Sequence, residues 1–289
     1  MINLKVLSAI SVVAASFGAQ AAFRFEPKVI YGDDDRRDLY EVTDARTLDL
    51  ADSTVALIKA RDVSVQGETA KINSRTLRQV MNVCADEPYA NQPSGGFCSG
   101  SLVAPDLIMT AGHCVESLAQ CNTTKFVFGY AMKSANEAPN EVPASEVYGC
   151  KELVKQVYTN TVDYALIRLD RPVEGHTPLE INRRGNVAPG TDVGVIGHPS
   201  GLPTKVAFGG TVRSIKSGFF VASLDTYGGN SGSAVFNRTT GLVEGILVRG
   251  ERDFVSRGGC SVSNRCTESG CRGEDVTLIS ELASFIPQN

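Results

Sequence analysis

Between Ser53 and Val248 the chain breaks again and again into short apolar, β-branched runs, and this rhythm limits its fold more than any other feature. STVALIK at Ser53–Lys59 opens the series, followed by GSLV, DLIMTA, KFVFGY, EVYGCKEL, KQVYTN and YALIRL. A second set reads DVGVIG, TKVAFGGTVRSI, GFFVAS, SAVF and LVEGILV. Turn residues separate the runs. Many short strands with regular breaks predict an all-β sandwich or barrel. No repeat of roughly 20–50 residues shows in the letters. Two similar sets of strands are nevertheless what a duplicated barrel leaves, with the link near Pro172 to Arg184. Two stretches depart from the pattern. The polar segment from Arg61 to Arg78 reads as a long loop with a short helical piece at TLRQVMNV. The tail DVTLISELASFIPQN places Ile279, Leu282, Phe285 and Ile286 on one helical face, with Asp275 or Thr277 as cap.

The 289 residues suffice for one large domain or two compact halves. A net charge of −4 argues against a nucleic-acid partner, which needs a basic face. At the start, Lys5 precedes an apolar run from Val6 to about Gly18, and Ala19-Gln20-Ala21 has the small-x-small form of a cleavage site. Residues 1–21 therefore read as a signal peptide, too short in its apolar part to span a bilayer. Residues 22–28 read as a short pro-segment and 29–289 as the mature domain. Eight cysteines fit export to the periplasm or beyond, where disulfides persist. Cys121 with Cys150 is one expected pair. Cys84, Cys260, Cys266 and Cys271 are left unassigned. The spacing of the last three admits a zinc site, but export and the even count favour bridges.

The chemistry concentrates in LDTYGGNSGSAVF, from Leu224 to Phe236. A serine hydroxyl attacks well only when a base takes its proton and donors hold the oxyanion formed. Ser231 lies among Gly228, Gly229, Asn230 and Gly232, where backbone N–H groups of Gly229 and Ser231 can point at one spot. Alone, such a cluster is also ordinary loop chemistry. Only three histidines exist to serve as base. His113 ends an apolar strand in CSGSLVAPDLIMTAGHC. His176, in the loop PVEGHTP, reads as solvated, and His198, in IGHPSG, as a turn residue. Asp163 opens the apolar strand of VDYALIRLD; it can orient an imidazole or merely cap the strand.

TAGHC and GGNSGS together resemble the histidine and serine motifs of the trypsin/chymotrypsin-like serine peptidases. The Asn before the serine is similar to the bacterial branch that includes the glutamyl endopeptidases. The resemblance runs from about Val29 to the C-terminus. It implies two six-stranded antiparallel Greek-key β-barrels, at roughly residues 45–175 and 185–289, with a C-terminal α-helix and no further recognition domain. It implies a catalytic triad of His113, Asp163 and Ser231, an oxyanion hole at Gly229 and Ser231, and a Cys98–Cys114 bridge. No cofactor or metal enters this chemistry; the partners are protein or peptide substrates, met by a monomer without a membrane anchor. Val29-Ile30 after Lys28 resembles a mature N-terminus, yet Asn230 stands where the family's Asp would pair with a freed amine; Lys28 otherwise belongs to a surface arm. The acidic run Asp33–Asp35 reads as an exposed turn. Asp225, six residues before Ser231, matches the position that selects Arg or Lys in trypsin-like enzymes, but some glutamyl endopeptidases carry an Asp-Thr pair there too, so a preference for Glu or Asp stays the alternative; Val248 and Gly250 match the strand that pairs with substrate. Leu247 replaces the histidine that reads acidic substrates in the glutamyl branch. Arg249 either neutralises Asp225, meets an acidic residue or lies on the surface. A rival reading is a non-catalytic binding module, although such relatives usually lose a triad member and none is lost here.

Overall fold

The structure, a computed structural model, describes residues 30–185 and 187–288. The predicted signal peptide, pro-segment and Val29 lie outside the described residues. The first sheet has seven strands in the order Val147–Tyr148, Thr124–Val127, Thr54–Lys59, Cys98–Ala104, Leu107–Thr110, Asp163–Leu169 and Cys150–Tyr158. Its neighbours are antiparallel throughout. The second sheet runs Asp192–Gly197, Ala234–Asn237, Val243–Arg249, Glu274–Leu278, Phe219–Ala222 and Lys205–Ile215, with Arg37–Asp38 outside. Lys205–Ile215 also pairs back onto Asp192–Gly197, so these six strands close into a barrel. The first sheet curls without such a closing pair. The two-barrel architecture expected from the short runs is therefore present.

The strands form where apolar residues can be covered. Cys98–Ala104 and Leu107–Thr110 are buried at every position. One core joins the sheets, with Leu57, Leu102, Ile108, Phe126 and Leu166 of the first meeting Ile196, Phe236 and Ile246 of the second. Another fills the closed barrel around Val195, Phe220, Val235, Leu247 and Val276. Each fully buried side chain of this kind stabilises by roughly 1.5–3 kcal/mol relative to exposure.

The C-terminus differs from the expected α-helix. Glu274–Leu278 is a strand hydrogen-bonded on both sides, to Val243–Arg249 and Phe219–Ala222. Only two 3-10 turns follow, Ile279–Glu281 and Ala283–Phe285. The sheet claims the residues that would have begun a helix, and Pro287 follows closely. Ile279, Leu282 and Ile286 are buried, whereas Phe285 is 46% exposed. The short helix Leu77–Met81 does form, with a Thr76–Gln79 capping box.

Four disulfides use all eight cysteines: Cys84–Cys260, Cys98–Cys114, Cys121–Cys150 and Cys266–Cys271. The first joins parts of the chain 176 residues apart, bringing the segment after the short helix onto the hairpin Phe254–Ser263.

His176 corrects the solvated reading. Its ring stacks on Phe128 at 4.3 Å between centroids, with Nδ1 2.9 Å from Asp52 and Nε2 2.8 Å from Glu146. The inter-barrel link is thereby clamped to the first barrel. Burial alone would lower the pKa of this histidine; the hydrogen bonds and charges of Asp52 and Glu146 overcome it and raise the value to about 9. A raised folded-state pKa stabilises fully below the unfolded value near 6.5, and the contribution fades as pH rises through about 9. His176→Gln is expected to lose about 1–2 kcal/mol at pH 6, the screened worth of such a clamp, and little at pH 10. Urea melts of both proteins at the two pH values check this; a difference that does not shrink with pH contradicts it.

Candidate active site

His113 sits in the 3-10 turn Gly112–Cys114 that follows the buried strand Leu107–Thr110. Asp163 begins the adjacent strand Asp163–Leu169 and is 0% exposed. Pairing of these strands brings the two together: His113 Nδ1 is 2.8 Å from Asp163 Oδ2, and the His113 amide donates to Oδ1 at 3.1 Å. The carboxylate therefore sets both the ring and the backbone beneath it. Thr277 of the closed barrel fixes Asp163 in turn, donating from Oγ1 to its carbonyl at 3.0 Å and accepting its amide at 3.3 Å. The ring is partly exposed, with 27% of its side chain open. Tyr158, itself exposed, lies beside it at 5.8 Å between ring centroids.

Ser231 comes from the closed barrel, in the loop before Ala234–Asn237. Its carbonyl accepts the Ser99 amide at 2.9 Å and lies 3.6 Å from Sγ of Cys114, the residue after His113. The serine and histidine segments thus touch across the junction. The His113 ring and the Ser231 hydroxyl make no hydrogen bond with each other among the described residues; such contacts are commonly long in the free state of an enzyme and tighten with substrate. Gly232 has φ +92, and a Cβ there would lie 2.0 Å from the Ser99 carbonyl oxygen. No other residue fits so close to the neighbouring strand.

The Gly228–Gly229 peptide is held from outside. Its carbonyl accepts the Ser200 amide at 2.5 Å, and in a trans peptide the N–H points the opposite way. The Gly228 amide donates to Asp253 Oδ2 at 2.8 Å. Ser99 Oγ donates to the Gly229 carbonyl at 2.8 Å and accepts the His198 amide at 2.9 Å. The amides of Gly229 and Ser231 donate to no acceptor among the described residues. Beyond Ser233, where the partner strand turns away, Val248 to Gly250 have no strand beside them on that edge, and the Gly250 carbonyl accepts Arg272 Nη1 at 3.4 Å.

The other singled-out residues have different surroundings. Asp225 is 6% exposed, and its oxygens accept the amides of Tyr31 at 2.7 Å and Asp35 at 3.0 Å. Burial pushes its carboxyl up to about 8. Arg249 pairs with Asp275 at 3.2 Å, not with Asp225, and reaches the carbonyls of Thr159 and Asn160. Asn230 is buried and accepts the Ser233 hydroxyl at 3.2 Å. His198 is buried within its turn; Nδ1 donates to the Leu202 carbonyl at 3.0 Å, and burial pushes its pKa down to about 4. A ring that stays neutral and enclosed is no substitute for His113. The acidic run is built in: Asp34 pairs with Arg36 at 2.7 Å, and Asp35 Oδ2 accepts the amides of Phe208 and Gly209. Sequence reasoning did not single out Ser99, Ser200 or Asp253, and named Thr277 only as a cap of the expected terminal helix. Only Ser99 carried a signal, lying inside the histidine motif.

A closed antiparallel barrel beside a curled one, with a His–Asp pair and a glycine-bounded serine at the seam, defines the chymotrypsin class of fold. The chain belongs to the trypsin-like peptidase domain family, whose model matches residues 98–246. It is 25% identical over 152 residues to a glutamyl endopeptidase of Bacillus licheniformis, covering 50% of this chain and 46% of that protein. It is 41% identical over 54 residues to human chymotrypsin-like elastase family member 3B, covering 18% and 19%. The chain thus spans less than half the length of these curated relatives. A solved Glu endopeptidase structure superposes with a TM-score of 0.50 at 19% identity, over 89% of this chain and 98% of that one, which shows the shared fold.

Ser99 is the side chain that holds the Gly229–Asn230 peptide, next to the Gly228–Gly229 peptide that the Ser200 amide orients. Ser99→Ala removes two hydrogen bonds, the one to the Gly229 carbonyl and the one from the His198 amide, of which the first, worth about 0.5–1.5 kcal/mol, bears on the Ser231 loop. Labelling of Ser231 by a fluorophosphonate is expected to slow roughly three- to tenfold, by conversion of that energy, while the melting temperature falls only slightly. An unchanged labelling rate contradicts the assignment.

Proposed function

We propose that this protein is an exported serine endopeptidase that cuts peptide bonds through His113, Asp163 and Ser231, with a preference for a basic residue before the cut. The observation that carries the reading is the buried Asp163 carboxylate held 2.8 Å from His113 Nδ1, in a turn that abuts the Ser231 backbone. In this mechanism His113 takes the Ser231 proton as the hydroxyl attacks the substrate carbonyl. Asp163 keeps the ring in the tautomer whose outer nitrogen is free and steadies the imidazolium. The amides of Gly229 and Ser231 receive the oxyanion. His113 then gives its proton to the leaving amine, and water releases the acyl group. Substrate backbone adds as a strand along Val248 to Gly250.

Four disulfides support a route to an oxidising compartment, periplasmic or extracellular. No helix among the described residues is long and apolar enough to cross a membrane. The names of two relatives favour an acidic residue before the cut. Against that reading stand Leu247, an apolar side chain 3% exposed, and buried carboxylates of Asp225 and Glu274 nearby. The protein acts as a monomer on protein or peptide substrates.

The purified protein is expected to take a fluorophosphonate label at Ser231 and to digest casein. Ser231→Ala should abolish labelling, and Asp163→Asn should cut turnover by roughly 10³–10⁴-fold. A folded, disulfide-bonded sample that neither labels nor digests would instead indicate a binding module.

A further inference from the structure

Resting on the endopeptidase reading, we infer that Glu274, and not Asp225, is the residue that selects the substrate side chain before the cut, and that it selects lysine or arginine. With the substrate carbonyl at the Gly229 and Ser231 amides and its backbone along Val248 to Gly250, the preceding side chain must descend between two segments. One is Asp225–Gly228, leading into Ser231; the other is the strand end at Gly250 and Glu251. Glu274 lies between them. Thr226 Oγ1 donates to its Oε2 at 3.0 Å, and the Glu251 amide reaches its Oε1 at 3.3 Å. A Cβ on Gly250 would lie 1.7 Å from Oε2, so the carboxylate rests directly on the glycine. Any larger residue at position 250 would displace it.

Both carboxyls are buried, Asp225 at 6% and Glu274 at 3% exposed, but Asp225 is held at 2.7 and 3.0 Å by backbone amides of a fixed strap, whereas the donors to Glu274 lie at 3.0, 3.3 and 3.4 Å. Both oxygens of Asp225 are engaged by the strap Tyr31–Asp35, which crosses behind it. The strap is itself tied down by Asp35 on Phe208 and Gly209, so freeing Asp225 means lifting the whole segment.

Glu274 has partners but no counter-ion. Its donors are the Thr226 hydroxyl, the Glu251 amide and, at 3.4 Å, the Tyr31 hydroxyl, all neutral. The cations around it are committed elsewhere. Arg272 pairs with Asp275 at 2.7 Å, Arg249 also pairs with Asp275, and Arg213 caps the carbonyls of Gly270 and Cys271 with its charge over the Tyr31 ring. Asp253 adds a like charge nearby, and the Arg272 charge, although paired with Asp275, offsets it only in part. Burial accordingly pushes the Glu274 carboxyl up to about 8. A buried carboxylate without a cation is costly, and removal of that cost by an incoming ammonium or guanidinium is a direct source of selectivity. An incoming cation draws the Glu274 carboxyl into its charged form, whereas an acidic side chain would bring a second carboxyl that must be buried beside it and is selected against.

The experiment compares cleavage of fluorogenic peptides that differ only in Arg, Lys, Leu, Ala or Glu before the cut. The wild type is expected to prefer Arg or Lys over Leu by at least a hundredfold in kcat/KM. Glu274→Gln is expected to reduce that ratio at least thirtyfold, and inhibition by benzamidine, a cationic probe, should weaken by a similar factor. Melting curves confirm that the variant folds. Should it not fold, Asp225→Asn decides between the two carboxyls: it is expected to keep the ratio within threefold of wild type, and a thirtyfold loss overturns the assignment. A Glu274→Gln ratio within threefold of wild type overturns the assignment. So does a labelled, active wild type that cuts mainly after Glu or small residues, or that benzamidine does not inhibit; the endopeptidase reading survives those results. A wild type that takes no label at Ser231 removes that reading, and this inference with it.

Discussion

Everything at the seam depends on Ser99. Its amide holds the Ser231 carbonyl and its hydroxyl holds the Gly229 carbonyl, so one residue of the first sheet grips the Ser231 loop of the second at two points. Ser99 can do this because the strand Cys98–Ala104 is buried along its length and bonded to neighbours on both sides. The Cys98–Cys114 disulfide then ties the same strand to the turn that carries His113. Histidine and serine are thus referred to one rigid strand rather than to each other. Asp163 enters the same frame through the adjoining strand and through Thr277 from the other barrel. Such shared anchoring keeps the three side chains in register when the two barrels shift slightly.

The legibility of these features in the letters follows from the range of the interactions. Strands written as short apolar runs were readable because alternation and burial are local properties. The motif around His113 and the loop at Ser231 were readable because each is contiguous. The Cys121–Cys150 bridge was reachable as an expectation, while Cys84–Cys260 joins residues 176 apart and has no local signature. The terminal residues read as a helix because Ile279, Leu282 and Ile286 suit either a helical face or a strand followed by tight turns. Pairing with two strands elsewhere in the chain decided it. His176 was misread because its loop is polar; its partners Asp52 and Glu146 come from distant elements. Asp225 shows the same limit most sharply. Its position relative to Ser231 was plain, but its partners lie some 190 residues upstream, in a segment with no motif.

That upstream segment changes the electrostatics beneath the site. Arg36 is 4% exposed, paired with Asp34 and stacked over Tyr227 at 4.1 Å. Asp38 and Lys205, both buried, form an ion pair at 2.5 Å that fastens the next turn of the segment to the barrel. Breaking either pair would strand a charge in the interior, which costs far more than the intact pair contributes. The segment is therefore held as a unit, and the Asp225 carboxyl is satisfied by backbone amides rather than by a solvated cation.

A glycine-rich loop poses a problem for electrostatic catalysis. Donors stabilise a developing oxyanion best when they are already oriented, yet glycine gives the backbone the most freedom to turn away. Here the freedom is removed residue by residue from outside. Asp225 is held by Tyr31 and Asp35, and Thr226 by Glu274. Tyr227 is held by the Ser263 hydroxyl and Arg36, and Gly228 by Asp253 and Ser200. Gly229 is held by Ser99 and Asn230 by Ser233. The glycines permit the conformation, with φ +94 at Gly229, and the surrounding polar groups make it the single one populated. Three of those groups, Asp225, Asp253 and Glu274, are carboxyls whose pKa burial raises. The cost of burying them is the counterpart of the order they impose, because a hydrogen bond shielded from water holds its geometry more firmly than an exposed one.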